Sequence, residues 1–268
     1  MSGRIDAHVH LWHRATDPQP WIDPGTMGAI DRDFGSDDLA RMLADTGVDT
    51  AVVVQTVNDL GETQRLLSRS EPVVGWIDLT ADAAAQLEKL GADGRLVGIR
   101  HLVHVDPDPQ WLGRPDVGAS FDTLAEHGLG FDLVVRWWQL DLAASVAAAR
   151  PGTRFVLDHL GGIAECDDDE GWERGLRTLA ALPNVTAKIS GLAALVSDAD
   201  RLRRVADVAL DAFGPHRLMY GSDWPLALLG AGPVSWRAAV DALVADLSTG
   251  ERRAIDGGTA AAWYGLGS

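Results

Sequence analysis

The sequence predicts an α/β fold, a (β/α)8 barrel of the TIM type, and three observations support this prediction. Eight short segments rich in Val, Ile and Leu recur along the 268 residues, and most lack alternation of polar and apolar residues. Such continuous apolar runs are typical of strands buried on both faces, as in parallel sheets. Helix-like stretches lie between them, and no linker divides the chain. Eight strand–helix units in a chain of this length fit a closed barrel, with a doubly wound open sheet as the alternative.

The predicted elements follow one another in a regular order. The strands are predicted at residues 5–10, 50–55, 73–79, 96–102, 130–135, 154–159, 185–189 and 217–220. The first helix begins with Ser36 as its N-cap and ends at Gly47, because these residue types favour helix starts and stops. The other helices are predicted at residues 60–70, 81–90, 115–127, 140–150, 172–181, 198–213 and 235–247.

Composition and charge exclude several classes of protein. The formal net charge is −16, and such an acidic surface repels both nucleic acid and anionic membranes. Hydrophobic residues make up 46% of the chain, which excludes a disordered protein. The single cysteine, Cys166, excludes an internal disulfide and a four-cysteine zinc site. With no segment typical of a signal peptide or a membrane span, we expect a cytoplasmic protein.

One connection is longer than the others. Residues 11–34 follow the first strand and contain Trp12, His13 and Trp21 together with several Pro and Gly residues. Long loops at the carboxyl ends of barrel strands tend to be functional, so we expect this one to lie over the barrel mouth. Residues 1–268 are otherwise expected to form a single domain, with the glycine-rich tail from Gly257 as a closing segment.

Four side chains are predicted to meet at the mouth of the barrel. His8 and His10 are two residues apart on the first strand and therefore project to the same side, which makes half of a zinc site. His159 ends the sixth strand, and Asp223 ends the eighth, which neighbours the first in a closed barrel. The alternative for each residue is a role in the core or in capping.

The motifs around these residues resemble those of the amidohydrolase superfamily, of the amidohydrolase 2 type. More narrowly, the chain resembles its sugar-lactonase branch, the fuconolactonase-like and rhamnonolactonase-like hydrolases. The resemblance covers nearly the whole chain and rests on segments 6–12 (DAHVHLW), 20–22 (PWI), 75–79 (GWIDL), 98–101 (GIRH), 157–161 (LDHLG), 188–192 (KISGL) and 221–225 (GSDWP).

This resemblance implies metal binding by His8, His10 and Asp223, with Asp223 also activating water, and it assigns His159 to the strand-six histidine of the family. The fifth strand ends in Arg136 and the fourth in Arg100 and His101, without the His and the Lys or Glu that many members use there. A binuclear site is therefore not expected. The site is expected to hold a single divalent ion at His8, His10, His159 and Asp223, with zinc the first candidate, or to work without a metal.

Further residues near the predicted strand ends are candidates for binding substrate. Arg100 and Arg136 are predicted to contact a carbonyl or carboxylate, with an ion pair to a loop acid as the alternative for Arg100. Gln55 is predicted to bind hydroxyl groups, with turn capping as the alternative. Three tryptophans are predicted to stack on a sugar ring, with packing in the wall as the alternative; they are Trp12, Trp76 and Trp224.

Some residues remain open or are excluded at this stage. His104 is a further candidate for substrate contact. Lys188, at the end of the seventh strand, makes either a contact in the pocket or a buried ion pair. Cys166 lies in an acidic loop and is rejected as a nucleophile, and no G-x-S-x-G motif of a serine hydrolase is present.

The function predicted from these residues is hydrolysis of a sugar-acid lactone, a small-molecule substrate of the L-fucono- or L-rhamnono-lactone kind. Asp223 is the expected base, and His8, His10 and His159 are expected around the carbonyl group. Two alternatives stay open: a metal-dependent non-oxidative decarboxylase of the same superfamily, and a sugar-binding barrel without catalytic activity.

Overall fold

Eight parallel strands form the centre of the protein. In the computed structural model, which describes residues 3–91 and 94–267, each strand is hydrogen-bonded to the next in chain order. The strands are β1 (Ile5–Val9), β2 (Thr50–Val54), β3 (Val73–Gly75), β4 (Leu96–His101), β5 (Gly130–Leu133), β6 (Phe155–Leu157), β7 (Val185–Ile189) and β8 (Leu218–Tyr220).

The sheet closes where the segment after β8 meets β1. The backbone N–H of Asp223 donates to the carbonyl oxygen of His8 at 2.9 Å, and that of His10 donates to the carbonyl oxygen of Trp224 at 2.7 Å. Val9 and Trp224 form a parallel bridge between these hydrogen bonds. The predicted (β/α)8 barrel is therefore confirmed, and the open-sheet alternative is wrong.

Ten α-helices are present in the described residues, two more than the eight units require. The helices are α1 (Ser36–Thr46), α2 (Leu60–Leu67), α3 (Ala83–Leu90), α4 (Pro115–Glu126), α5 (Leu140–Ala149), α6 (Asp169–Ala180), α7 (Ala199–Phe213), α8 (Pro233–Leu243), α9 (Thr249–Arg253) and α10 (Thr259–Tyr264). None of the helices in the described residues is long and apolar enough to cross a membrane.

Several predicted boundaries differ from the observed ones, and at two helix starts the reason is a side chain that caps the helix. Ser36 is the first residue of α1 rather than its N-cap; Gly35 is the N-cap, and its N–H donates to Asp38 at 3.1 Å. Helix α6 begins before the predicted position because the Asp168 side chain accepts from the N–H of Gly171. Strand β3 ends at Gly75, four residues before the predicted end.

Apolar side chains fill both sides of the sheet. Val53 packs with the larger cluster between sheet and helices, whereas Val52 and Val54 on the same strand belong to a smaller cluster on the opposite face. Tyr264 from α10 is part of this smaller cluster and is 4% exposed. The tail after Gly257, predicted only as a closing segment, therefore contributes a buried side chain to the barrel interior.

The segment of residues 11–34 folds back on itself beside the barrel. Trp12 and Phe34 pair as an antiparallel bridge, and the indole N–H of Trp12 donates to the carbonyl oxygen of Arg32 at 2.7 Å. Trp12 is 1% exposed and packs edge-on against both Trp21 and Phe34. The prediction that Trp12 stacks on a sugar ring is therefore wrong, because its faces are used to hold this segment together.

Trp236 connects α8 to the strand end that carries Asp223. Its side chain is fully buried, and its indole N–H donates to the carbonyl oxygen of Gly221 at 2.8 Å. We predict that Trp236→Phe lowers the free energy of unfolding by about 1–3 kcal/mol, because the Gly221 carbonyl group loses its donor in the core. Urea denaturation measures this, with Trp138→Phe as the matched control, since Trp138 is 59% exposed. Equal losses in the two variants would contradict the role of this hydrogen bond.

Candidate active site

A cavity of about 320 Å³ opens at the carboxyl ends of the strands. It contains both polar and apolar side chains contributed by the loops that follow several different strands. Its lining residues are His10, Trp21, Thr56, Arg100, Leu102, His104, Val105, Val134, Val135, Arg136, His159, Gly162, Ala164, Glu165, Gly191, Asp223 and Leu226. Three of the four side chains predicted to meet at the mouth therefore face this cavity.

His8, His10 and Asp223 come together where the barrel closes. The Nε2 atoms of His8 and His10 are 3.2 Å apart, and Asp223 Oδ1 lies 3.7 Å from the first and 3.3 Å from the second. His8 is fully buried behind the cavity wall, whereas His10 and Asp223 line the cavity. The predicted convergence of these three residues is present in the structure.

A carboxylate that the sequence analysis did not single out holds this arrangement together. Asp6 Oδ1 accepts from the N–H of His8 at 3.1 Å and from the N–H of Ser222 at 2.9 Å. One buried side chain thus ties β1 to the segment after β8. Gly221 allows the close approach, because a Cβ at this position would lie 2.9 Å from the Cβ of His8.

His159 reaches the same place through an unusual backbone. It follows β6 with φ of 54°, a left-handed conformation that is uncommon for a residue other than glycine. Its Nδ1 lies 2.9 Å from Ser190 Oγ, and its ring centroid is 4.5 Å from that of His8. A Cβ on Gly191 would come within 2.6 Å of His159 Nδ1, so this glycine leaves room for the imidazole.

Burial and neighbouring charges set the charge of each group. Burial lowers the pKa of His8 well below its usual value, and it also lowers the pKa of His10. Burial alone would raise the pKa of Asp223, but the nearby imidazoles of His159, His10 and His8 outweigh it and hold this pKa below its usual value. His8 and His10 are therefore neutral beside an ionised carboxylate at neutral pH.

A backbone carbonyl fixes the tautomer of His10. Its Nδ1 lies 2.7 Å from the carbonyl oxygen of Val54, which can only accept a hydrogen bond. A neutral His10 therefore carries its proton on Nδ1 and directs the lone pair of Nε2 toward Asp223 and His8. This is the usual way in which proteins orient a metal-binding histidine.

The positions of these atoms fit a single metal ion. Nitrogen and oxygen ligands at about 2.0–2.1 Å from a tetrahedral zinc ion are about 3.3 Å from one another. The three distances among His8 Nε2, His10 Nε2 and Asp223 Oδ1 range from 3.2 to 3.7 Å. His159 also has a ligand atom within 4.8 Å of those of His8 and Asp223. Among the described residues, Asp223 Oδ1 has no hydrogen-bond donor although it is buried.

Arg100 connects the cavity to the barrel interior. Its guanidinium donates to Asp158 Oδ2 at 2.9 Å and to the carbonyl oxygen of Gln55, while its Nε has no partner in the described part of the chain. The Gln55 amide donates to the carbonyl oxygen of Arg100 at 3.0 Å, and Gln55 is fully buried. The prediction that Gln55 binds substrate is therefore wrong; its side chain holds Arg100 in place.

A group of buried charges lies below the cavity, on the strands β4, β5 and β7 and directly after β6. Lys188 Nζ lies 2.6 Å from Asp132 Oδ2, 3.0 Å from Asp158 Oδ1 and 3.2 Å from His8 Nδ1. With Arg100, the group holds two positive and two negative side chains, all buried. Of the two alternatives for Lys188, the buried ion pair is confirmed.

Arg136 and His104 form another part of the cavity wall. Arg136 lines the cavity as predicted and pairs with Glu165, which is exposed. Burial, followed by the charges of Arg100 and Arg136, lowers the pKa of His104 to about 3. His104 is therefore neutral, and its Nδ1 has no hydrogen-bond partner within the described residues.

Trp76 and Trp224 lie outside the cavity. The indole N–H of Trp76 donates to His101 Nδ1 at 3.1 Å, in a cluster where His101 stacks on Trp111. Trp224 is 4% exposed and packs edge-on against Phe34. The predicted stacking face is wrong for Trp224, whose ring is buried against Phe34. Trp76 is half-buried, and its stacking on a sugar ring stays a prediction. Trp21 is instead the tryptophan that lines the cavity.

Comparison with known proteins places this site in a family. The amidohydrolase family model matches residues 5–266, which is nearly the entire chain. The chain belongs to the amidohydrolase family. This amidohydrolase is 37% identical over 240 residues to an L-fucono-1,5-lactonase of Burkholderia ambifaria, with 85% of this chain and 82% of the relative covered. It is 35% identical to an L-fucono-1,5-lactonase of Burkholderia multivorans, with coverage of 98% and 96%.

A solved structure agrees with this assignment. The amidohydrolase superimposes on a crystal structure of an amidohydrolase from Burkholderia multivorans with bound zinc, at a TM-score of 0.91 and 35% identity. The match covers 99% of this chain and 100% of the other. That protein contains zinc, and in this chain His8, His159 and Asp223 have ligand atoms close enough together to hold a metal ion.

A second buried carboxylate supports the cavity from the side of β2. Glu62 on α2 accepts hydrogen bonds from the backbone N–H groups of Thr56 and Val57 and from the Thr56 hydroxyl, and Thr56 lines the cavity. Burial raises the pKa of Glu62 from 4.5 to about 7. A group with a raised folded-state pKa stabilises the fold fully at low pH, and this stabilisation is lost as the pH rises through the folded-state value.

We predict that the free energy of unfolding of the amidohydrolase falls by about 2 kcal/mol, relative to that of a Glu62→Gln variant, as the pH rises from about 5.5 to about 8.5. The glutamine amide has the shape of the protonated carboxyl group but does not titrate. Its oxygen accepts from the two backbone N–H groups, and its NH2 group donates to the Thr56 hydroxyl. Urea denaturation of both proteins at the two pH values measures the difference. A difference that stays constant would show that Glu62 titrates normally.

Proposed function

We propose that this amidohydrolase hydrolyses the ester bond of a sugar-acid lactone, with L-fucono-1,5-lactone as the first candidate substrate. The observation that carries the proposal is the buried Asp223 carboxylate, which faces a small cavity beside His10 and His159 and lacks a hydrogen-bond donor at Oδ1 among the described residues. The chain is 37% and 35% identical in sequence to two L-fucono-1,5-lactonases, and this similarity supports the same chemistry.

The cavity has the size and polarity for such a substrate. A volume of about 320 Å³ is at the small end of ligand pockets. Polar groups of His10, Arg100 and Asp223 are available for the carbonyl and hydroxyl groups, whereas the apolar wall suits a C–H-rich ring face. The apolar lining residues are Trp21, Leu102, Val105, Val134, Val135, Ala164 and Leu226.

Hydrolysis requires a base, a group that stabilises the oxyanion and a proton for the leaving alkoxide. Asp223 accepts a proton from water as the water oxygen bonds to the carbonyl carbon. Arg100 stabilises the oxyanion that forms, because its positive charge is fixed at the cavity wall before the reaction. The ring C–O bond then breaks, and the alkoxide either receives the proton held by Asp223 or receives one from His159, which then takes the proton held by Asp223. Because the pKa of Asp223 lies below its usual value, this carboxyl group releases its proton readily.

We further propose that the site holds one divalent cation, with zinc as the first candidate. His8, His10, His159 and Asp223 would hold it, and when bound it would polarise the carbonyl group and lower the pKa of water. We also propose that residues 1–268 act as one domain and that residues 11–34 cover the mouth. The contact of Trp21 with the cavity supports the latter.

The first test removes the proposed base. We predict that Asp223→Asn lowers kcat at least about 10²-fold with a sugar-acid lactone, because a positioned base contributes about that much. A pH indicator detects the acid released from a panel of lactones. Asp167→Asn is the matched control, since Asp167 is an exposed aspartate outside the cavity lining.

The same assay distinguishes the other outcomes. Full activity of Asp223→Asn would remove this residue from the role of base. Release of CO2 rather than acid from a panel of carboxylated substrates would indicate a decarboxylase. Binding of the lactone without turnover would indicate a sugar-binding protein.

A second test removes the metal. We predict that a chelator lowers kcat by at least about tenfold and that zinc restores it, because the proposed ligands lose the ion that polarises the carbonyl group. Metal analysis of the purified protein and kinetics before and after chelation measure this. Unchanged kcat in protein shown to be free of metal would mean that the side chains act without an ion.

A further inference from the structure

The fully buried His8 is contacted by donors on both of its ring nitrogens. Lys188 Nζ lies 3.2 Å from Nδ1, and Arg100 Nη1 lies 3.3 Å from Nε2. Both groups only donate hydrogen bonds. Because a neutral imidazole has one N–H and one lone pair, only one of these contacts is a hydrogen bond at any time.

The neighbouring His10 decides between the two tautomers. Its Nε2 carries a lone pair, because its proton is on Nδ1 and is donated to Val54. When no cation lies between the rings, a lone pair on His8 Nε2 would face this lone pair at 3.2 Å. A proton on His8 Nε2 turns that contact into a hydrogen bond and leaves Nδ1 free to accept from Lys188. The metal-free protein therefore favours the Nε2–H tautomer of His8.

Metal binding requires the opposite tautomer. A cation coordinated by Nε2 needs the lone pair there, so the proton must be on Nδ1 and the hydrogen bond from Lys188 must break. Asp158 is in place to accept this proton, because its Oδ1 lies 3.3 Å from His8 Nδ1; Lys188 Nζ lies 3.0 Å from the same oxygen and competes for it. A carboxylate in this position is the usual support for a metal-binding histidine.

Two residues outside the cavity hold Lys188 in its place. Asp132 lies 2.6 Å from Nζ and also accepts from the Tyr264 hydroxyl, which lies 3.0 and 2.8 Å from its two oxygens. Tyr264 is on the last helix, α10, and its ring lies 5.5 Å from Lys188 Nζ. None of these three side chains is among those that line the cavity.

We propose that Lys188 is a positioning residue that selects the tautomer of His8 and thereby weakens the affinity of the site for a divalent cation, with Asp132 and Tyr264 holding it at this contact. The relevance of this effect to catalysis rests on the proposed function. Its effect on metal affinity is independent of the substrate. Without the Tyr264 hydroxyl, Asp132 draws Lys188 more strongly, and the contact with His8 lengthens.

The sign of the expected effect separates this role from a purely structural one. Loss of an ordinary supporting residue weakens metal binding by about 10–100-fold. Loss of Lys188 is expected to strengthen it, because the proton of His8 then moves to Nδ1 and is accepted by Asp158.

The experiment uses the full-length protein freed of metal by a chelator. The variants are Tyr264→Phe, the charge-neutral double variant Lys188→Met with Asp132→Asn, and the control Tyr220→Phe. Tyr220 is the matched control because it is fully buried and its hydroxyl has no partner among the described residues. Long-range proton–nitrogen NMR at one pH reports the tautomer of His8, and competition with a chromophoric chelator gives the Kd for zinc.

In the wild type, His8 is expected as the Nε2–H tautomer. In the double variant it is expected as the Nδ1–H tautomer, with a Kd for zinc lower by about tenfold. Tyr264→Phe is expected to shift both measurements in the same direction by a smaller factor, and Tyr220→Phe is expected to match the wild type.

The proposal is overturned if wild-type His8 carries its proton on Nδ1, or if the Kd for zinc is unchanged or raised in folded Tyr264→Phe. Tyr264→Phe keeps the test valid even if the double variant does not fold. Absence of lactone hydrolysis by the wild type would reject the proposed function alone, because the tautomer and the Kd for zinc are measured without substrate.

Discussion

The site depends on the closure of the barrel by the Asp6 carboxylate. This one buried group accepts from the N–H of His8 at the start of the sheet and from that of Ser222 at its end. His10 and Asp223 are brought together by the same closure, although they are more than 200 positions apart in the chain. Any change in the register between the first strand and the segment after the last one would separate the proposed base from the imidazoles.

Burial then determines the protonation states of these groups. In water, an imidazole close to an aspartate gains a proton as the pH falls below neutrality, but here desolvation keeps His8 and His10 neutral. Below them, Arg100 and Lys188 balance Asp132 and Asp158, so the interior holds four charged groups without a large net charge. Such a balance is needed because an unpaired charge is costly inside a protein. Asp223 adds a negative charge that faces the place where a substrate or a cation would lie.

The sequence was sufficient for the fold and for the residues at strand ends. Apolar runs identified the eight strands, and the position of His8, His10, His159 and Asp223 at their carboxyl ends placed these side chains together. The direction of a loop residue could not be obtained in this way. Trp12 and Trp224 follow strands as expected, but pairing between the ends of the long connection turned both rings into the core.

The sequence left a buried ion pair of Lys188 open, but it did not identify Asp132 as its partner, for a different reason. Asp132 and Lys188 each interrupt an otherwise apolar strand, and the identification of strands from hydrophobic periodicity ignores such single polar residues. Their partners come from distant parts of the chain. A charged residue within such a strand is in fact informative, because it needs a partner of opposite charge inside the barrel. Tyr264 had no such indication, since the short helix that carries it follows a glycine-rich segment after the eighth unit.

The insertion of Tyr264 into the floor of the barrel affects the order in which the protein can be completed during synthesis. The hydroxyl group that binds Asp132 is made only after all eight strands, because Tyr264 on α10 follows β8 in the chain. Until Tyr264 has been made, the floor of the barrel lacks one of its side chains and Asp132 lacks one of its donors. Synthesis of the last helix is therefore the step that completes the interior of the newly made enzyme.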